Sequence, residues 1–167
     1  MKLMVLQSSS RANGYVLTNG TEALLIEAGV RLFEVKKALG FKLSAIRGCI
    51  VSHRHHDHAR YVREYAKNGV TILGPAEALM EGNPRCKTLL PFKGYLLGRF
   101  RIIPFELEHD AACFGYVIDH PGCGRILFAT DTWMIPYQFS QVNHFVVECN
   151  SSDELLDRAI LSGKTHP

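Results

Sequence analysis

Ser52-His53-Arg54-His55-His56-Asp57-His58 packs four histidines and an aspartate directly behind the apolar Cys49-Ile50-Val51. The apolar run reads as a short buried strand, Cys49 to Ser52. A chain leaving it in extended form points His53 and His55 to the same side. Asp57 and His58 follow where a helix begins, so the chain turns and brings a second pair of donors close to the first. Imidazole nitrogen with carboxylate oxygen is the donor set of Zn2+, and equally of Mn2+ or Fe. With 8 His in 167 residues, the pattern H-x-H-x-D-H is expected by chance roughly 0.0006 times per chain. A solvated polar loop is the competing account, and that figure outweighs it.

Working outward, the spacing predicts a helix from His58 to Lys67 that ends at Asn68-Gly69, then a strand over Val70–Leu73. Pro75 opens a short helix through Met80, at a position where its missing N–H would be unpaired anyway. Upstream, Gly14–Thr18 and Ala23–Glu27 flank Asn19-Gly20-Thr21, a hairpin signal. Phe33–Leu39 has helical spacing and stops at Gly40. Downstream, Phe100–Leu107 reads as a long strand that Pro104 places at an edge or a bulge. Phe114–Ile118 and Arg125–Ala129 flank the turn Pro121-Gly122-Cys123-Gly124, and His144–Cys149 is strand-like. Ser151-Ser152-Asp153-Glu154 is a capping box for a last helix that buries Leu155, Leu156, Ala159 and Ile160 and ends at Gly163. Strands and helices in both halves indicate an α/β or α+β fold.

No linker, repeat or low-complexity segment divides the chain, and 167 residues make one domain, 1–167. Hydrophobic residues at 47% and charged residues at 21% exclude a disordered or collagen-like chain. A net charge of +3 neither demands nor excludes a nucleic-acid partner. No apolar run approaches the ~20 residues of a membrane helix, and Met1-Lys2-Leu3-Met4-Val5-Leu6 is too short for a secretory core. Cys49, Cys86, Cys113, Cys123 and Cys149 are an odd set without paired spacing. They read as reduced, mostly buried thiols of a cytoplasmic protein.

A strand followed by H-x-H-x-D-H resembles the signature of the metallo-β-lactamase superfamily, and other segments resemble that family in order. Leu24-Leu25-Ile26-Glu27-Ala28-Gly29 is similar to its early acidic motif, with Glu27 where Asp is usual. Glu106-Leu107-Glu108-His109-Asp110 resembles the third motif and offers His109. Phe128-Ala129-Thr130-Asp131-Thr132 resembles the fourth, whose carboxylate bridges two metals. Ser8-Ser9-Ser10-Arg11-Ala12-Asn13-Gly14, together with Glu148-Cys149-Asn150, is similar to small bacterial and phage metal-dependent hydrolases near the exonucleases and phosphodiesterases of the fold.

The resemblance implies an α/β, four-layer αββα sandwich. His53, His55 and His109 would bind one metal, Asp57 and His58 a second, and Asp131 would bridge them. Asp57, His58 and Asp131 would then also serve catalysis, and Glu27 would orient a histidine through its ring N–H. One or two Zn2+, Mn2+ or Fe ions per chain would lower the pKa of a bound water and supply hydroxide near neutral pH. The expected activity is hydrolysis of phosphodiesters, small or nucleic acid. The alternatives are ester, thioester or lactone hydrolysis at the same site, and a catalytically silent metal-binding module. β-Lactam hydrolysis is disfavoured by the short, non-secretory start.

The family supplies a last histidine ligand from a strand and loop after the final helix, whereas this sequence stops at His166-Pro167. The expected sandwich is therefore C-terminally truncated, with the second metal held weakly. Its open edge would favour a homo-oligomer. His166 reads as a solvated tail residue. His56 and Arg54 should point away from the donors, and His120 should lie at the surface of its turn. Asp110 is either a partner of His109 or a turn residue. Trp133 and Tyr137 line the cleft or, more commonly for aromatics, the core. Arg54, Arg60, Arg63 and Lys67 give the motif helix a basic face that solvation explains as well as phosphate does.

Overall fold

A computed structural model describes residues 1–148 and 162. Cys149, the expected helix over 151–163 with Leu155, Leu156, Ala159 and Ile160, and His166 lie outside the described residues.

The chain completes one sheet before starting the other. β1 (Lys2–Ser9), β2 (Ala12–Thr18), β3 (Ala23–Ile26), β4 (Ile46–Ile50), β5 (Ile72–Gly74) and β6 (Cys86–Thr88) lie side by side in that order. β7 (Tyr95–Leu97), β8 (Phe100–Leu107), β9 (Cys113–His120), β10 (Gly124–Ala129) and β11 (His144–Val147) form the second sheet, again in sequence order. α1 (Leu32–Ala38) connects β3 to β4, while α2 (His56–Ala59) and α3 (Val62–Lys67) connect β4 to β5. The β2–β3 hairpin forms as its Asn-Gly signal predicts, with Asn19 Oδ1 accepting the backbone N–H groups of Thr21 and Glu22 at 3.0 and 2.8 Å. From β3 to β6 the pairing is parallel. That arrangement demands cover on both faces and explains why Ala23–Ile26 is buried throughout.

Alternation along the strands sorts the apolar side chains into layers. Leu25, Cys49, Val51 and Ile72 face Leu32 and Val35 of α1 and Val62, Tyr65 and Ala66 of α3. Leu24, Ile26, Ile50 and Leu73 face Phe100, Ile102, Tyr116, Ile118 and Phe128 between the sheets. On the far side of the second sheet Phe105, Leu107, Val117 and Leu127 are covered by Ile135, Tyr137, Phe139 and Val142. Two hydrogen bonds then pin the sheets together directly before the histidine motif. Tyr116 Oη donates to the Val51 carbonyl at 2.6 Å, and the Phe114 N–H donates to the Ser52 carbonyl at 2.9 Å.

Several expectations change. The helix read over His58–Lys67 starts two residues earlier and is broken between α2 and α3. The backbone of Ala28 intervenes there: its N–H donates to the His58 carbonyl at 2.7 Å, and its carbonyl accepts the Tyr61 N–H at 2.8 Å. β8 is an interior strand despite Pro104, paired with β7 and β9. β7 begins opposite Ile102, so no β7 residue needs a donor from Pro104, whose carbonyl accepts the Phe92 N–H at 2.7 Å instead. His120 is 3% exposed rather than at the surface. Its ring lies 4.6 Å from that of Phe100, Nδ1 accepts the Gly122 N–H at 2.9 Å, and Nε2 is 3.4 Å from Glu22 Oε2. β1, β6 and β7 have no counterpart in the sequence pattern. The segment after Pro75 is a single 3-10 turn, Ala76–Ala78.

Of the described cysteines, Cys49 and Cys113 are buried, Cys86 and Cys123 half-buried, and all are free thiols. No helix among the described residues is long and apolar enough to cross a membrane.

Candidate metal centre

β4 ends at Ile50, and the chain continues through Val51 and Ser52, both pinned by the second sheet, to His53, which is fully buried. Ser52 Oγ is 2.8 Å from His53 Nδ1. Nε2 is thereby left as the outward-facing atom of the ring, and it is buried without a hydrogen-bond partner. Two groups of donors meet at His53. Ligand atoms of His53, His55 and His109 lie within 4.8 Å of one another, and so do those of His53, His58 and Asp131.

Within the first group His109 Nε2 is 3.2 Å from His55 Nδ1. Within the second, Asp131 Oδ2 is 2.7 Å from His58 Nε2 and 3.6 Å from His53 Nε2. Asp57 borders the second group, its Oδ2 3.1 Å from His58 Nε2. The structure thus brings together all six residues proposed from the sequence as ligands. Arg54 and His56 point to solvent, Arg54 pairing with Glu77 at 3.2 Å.

An unpartnered buried nitrogen costs about 1–3 kcal/mol, and four imidazoles crowded with two carboxylates need something to satisfy them. A divalent cation fits that requirement. The electrostatics at His53 agree. Burial, reinforced by the neighbouring His58 and His109, pushes His53 down to about 3 and keeps its imidazole neutral, the form that donates a lone pair. Burial is also the largest single influence on His58 and opposes its charge. The carboxylates of Asp131 and Glu27, joined by Asp57, outweigh it and raise His58 to about 10. The hydrogen bond from His58 in turn holds Asp131 well below the usual carboxylate range, against burial.

Supporting residues come from elements far apart in the chain. Glu27 is 1% exposed, its Oε1 3.5 Å from His58 Nδ1 and its Oε2 accepting the Ser52 N–H at 3.2 Å. It occupies the position behind a histidine expected for it. Glu27 and Asp131 both have left-handed backbone, φ 66° and 49°. That strain costs of order 1 kcal/mol for a residue with a side chain, and it aims both carboxylates at His58. Gly29 is required for close approach, because a Cβ there would overlap the Asp57 carbonyl oxygen.

Two further contributors lie outside the proposed ligand set. Asn13, buried on β2, lies with Nδ2 2.9 Å from both Asp57 Oδ2 and His58 Nε2. Glu148 Oε2 accepts the Asp131 N–H at 2.7 Å and the Thr130 hydroxyl at 3.0 Å. The strand predicted from the sequence begins at Gly14, so the sign of Asn13 in the sequence is its place in the Ser8–Gly14 segment that resembles the family. Asp110 proves to be a partner rather than a bare turn residue, its Oδ1 3.0 Å from His109 Nε2 and 3.4 Å from His55 Nε2. Trp133 is not core but 79% exposed, whereas Tyr137 packs between Phe105 and Phe139.

A family model described as the metallo-beta-lactamase superfamily matches residues 10–86. No curated protein sequence matches the chain. Among solved structures, a metallo-beta-lactamase from Cronobacter sakazakii superposes with TM-score 0.66 at 14% identity, covering 98% of this chain and 83% of that one. The metallo-beta-lactamase MIM-1 from Novosphingobium pentaromativorans gives TM-score 0.58 at 23% identity, covering 93% and 76%. The metallo-beta-lactamase fold protein YhfI from Bacillus subtilis gives TM-score 0.56 at 19% identity. There the match covers 75% of this chain but only 60% of YhfI's length. Identities this low speak to the fold alone.

Proposed function

This chain is a metallo-β-lactamase-fold protein, and from that premise we propose that it is a metal-dependent hydrolase acting on phosphodiesters. The observation that carries the reading is the pair of donor groups sharing the buried, unpartnered His53 Nε2. His53, His55 and His109 would hold one ion, and His58, Asp131 and the adjacent Asp57 a second. Zinc suits this mixture of imidazole and carboxylate, with Mn2+ or Fe as alternatives. When bound, such a pair activates a water and stabilises the attacking and leaving oxygens of an in-line displacement, which is the charge pattern of phosphodiester cleavage.

The chain's own residues prepare that site. Ser52 orients His53 so that its free nitrogen faces the other donors. Glu27 stands behind His58, Asn13 steadies Asp57 and Glu148 ties down the Asp131 backbone. Neutral His53 offers a lone pair without first losing a proton.

The test combines elemental analysis of the purified chain with hydrolysis of bis-p-nitrophenyl phosphate. The expected result is up to two ions per chain and turnover that disappears in His53→Ala. Metal content with turnover only of p-nitrophenyl acetate, or of a chromogenic β-lactam, would replace the substrate class. Metal without any turnover would make the chain a binding module.

A further inference from the structure

We propose that the centre takes a small diester with a single negative charge and an apolar arm, and that the arm rests on Trp133 and Met134. The proposal rests on the phosphodiesterase reading and narrows its substrate. Charge is the first constraint. Glu27, Asp57 and Asp131 reach His58 at 3.5, 3.1 and 2.7 Å. Asp110 reaches His109 at 3.0 Å, and Glu148 accepts the Asp131 N–H at 2.7 Å. Two divalent cations would leave carboxylate charge in excess over this set, and Glu108, exposed next to His109, adds to it. The basic side chains nearest in sequence are engaged elsewhere. Arg54, inside the motif, pairs with Glu77 at 3.2 Å. Arg11 and Arg60 line a cleft together with Arg31 and Lys37, and none of the donor residues lines it. A polyanion approaching the donors therefore meets like charge, whereas one phosphoryl charge is what the cations themselves attract.

The loop after Asp131 supplies the second constraint. The left-handed backbone of Asp131, φ 49°, turns the chain along the segment that carries His109. There the backbone N–H of Trp133 donates to the Glu108 carbonyl at 3.3 Å, and the Thr132 hydroxyl lies 3.2 Å from the same carbonyl and 2.8 Å from that of Met134. Both ends of the loop are thus tied beside donor residues. Farther along, Ile135, Tyr137, Phe139 and Val142 fold under the second sheet. Trp133 and Met134 do not follow them and stay 79% and 51% exposed. The indole has no ring or side-chain hydrogen-bond partner among the described residues. Two large apolar side chains held open on a pinned loop, next to a polar centre, mark a place where an apolar group is received. A nucleic-acid base could stack there, but its phosphate chain would have to run past Glu108, Asp110 and Glu148.

Trp133 is the only tryptophan of the chain, so fluorescence reports this position alone. The zinc-loaded chain should emit as a solvent-exposed indole. Diphenyl phosphate, whose poor leaving groups keep it intact, should shift that emission to saturation. Calorimetry should find it bound roughly 10- to 100-fold more tightly than dimethyl phosphate, the worth of a buried ring. Trp133→Ala should remove about tenfold of that preference and leave dimethyl phosphate unchanged, a split that damage to the fold would not produce. Phosphorothioate oligothymidylate should bind more weakly than diphenyl phosphate, tighten as salt screens the repulsion, and gain from Glu108→Gln. Equal binding of the two small diesters, failure of both to bind, or a preference that survives Trp133→Ala overturns the proposal. So does a buried indole in the free chain, or an oligothymidylate whose affinity falls with salt. Hydrolysis of bis-p-nitrophenyl phosphate without the preference for diphenyl phosphate sinks this proposal and spares the reading above. The preference without any phosphodiester turnover supports the apolar seat and sinks the phosphodiesterase reading.

Discussion

His53 and His58 are both buried, yet burial wins at one and loses at the other. His53 has the like charges of His58 and His109 beside it and stays neutral, whereas His58 is enclosed by Glu27, Asp57 and Asp131 and is held protonated up to about 10. Because His53 belongs to both donor groups, His53→Ala should abolish binding of both ions. His109→Ala should spare the group of His58 and Asp131, a difference elemental analysis will read. Glu27→Gln keeps the shape but removes the charge behind His58, and should weaken metal affinity about 10- to 100-fold in chelator competition. A separate residue-level expectation concerns acid stability. The Arg125 guanidinium, at 2.7 Å, lowers the Asp119 pKa, an effect that outweighs the opposing influence of burial. Folding of this group is therefore favoured most above its ordinary value of 3.8, and the contribution fades as pH falls below that toward the lowered folded value. Partial exposure and screening limit it to about 1 kcal/mol or less. Asp119→Asn should flatten the dependence of the urea midpoint on pH below 4 by that amount, and an unchanged acid limb would refute it.

At the level of elements, the site depends on how closely the loop after β3 approaches α2. Ala28 takes up the His58 carbonyl and the Tyr61 N–H, and Gly29 leaves no atom between itself and Asp57. Gly29→Ala must displace α2 and with it Asp57 and His58. Overpacking of this kind costs about 1–3 kcal/mol, and metal affinity should fall along with the urea midpoint. The bond from Tyr116 to the Val51 carbonyl joins the sheets one step before the motif. Tyr116→Phe strands that buried carbonyl at a cost of about 1–3 kcal/mol while leaving every donor in place. It should lower stability with metal stoichiometry unchanged.

For the molecule as a whole, the two sheets carry separate parts of the centre: His53, His55, Asp57 and His58 follow β4, His109 follows β8, and Asp131 follows β10. A cation held by this set binds only when both sheets are docked, so metal binding and global folding are linked. Metal at 100 times its dissociation constant should add about 2.7 kcal/mol, which for a domain of this size is roughly 5–11 °C in Tm. A chelator should reverse the shift, and His53→Ala should show none. A Tm indifferent to added zinc, manganese and iron would contradict the linkage.

The contiguous motif from His53 to His58 was legible from residues alone, because local geometry suffices to bring neighbours along one strand and one helix turn together. The hairpin at Asn19-Gly20 was legible for the same reason. His109 and Asp131 entered only through resemblance, since nothing local in their segments marks them as ligands. Asp110 had two readings, partner of His109 or turn residue, and Asn13 and Glu148 stood in segments marked only by resemblance; tertiary structure placed Asn13 beneath Asp57, Asp110 between His55 and His109, and Glu148 on the Asp131 backbone, contacts whose partners lie up to 55 residues apart along the chain. It also overruled local rules. Pro104 is tolerated inside a sheet because its neighbour ends first, His120 is buried because Phe100 and Glu22 receive it, and the motif helix breaks where Ala28 intrudes. Sequence periodicity records which face of an element is apolar. Which residue of a distant segment meets that face is decided only when the sheets close on each other.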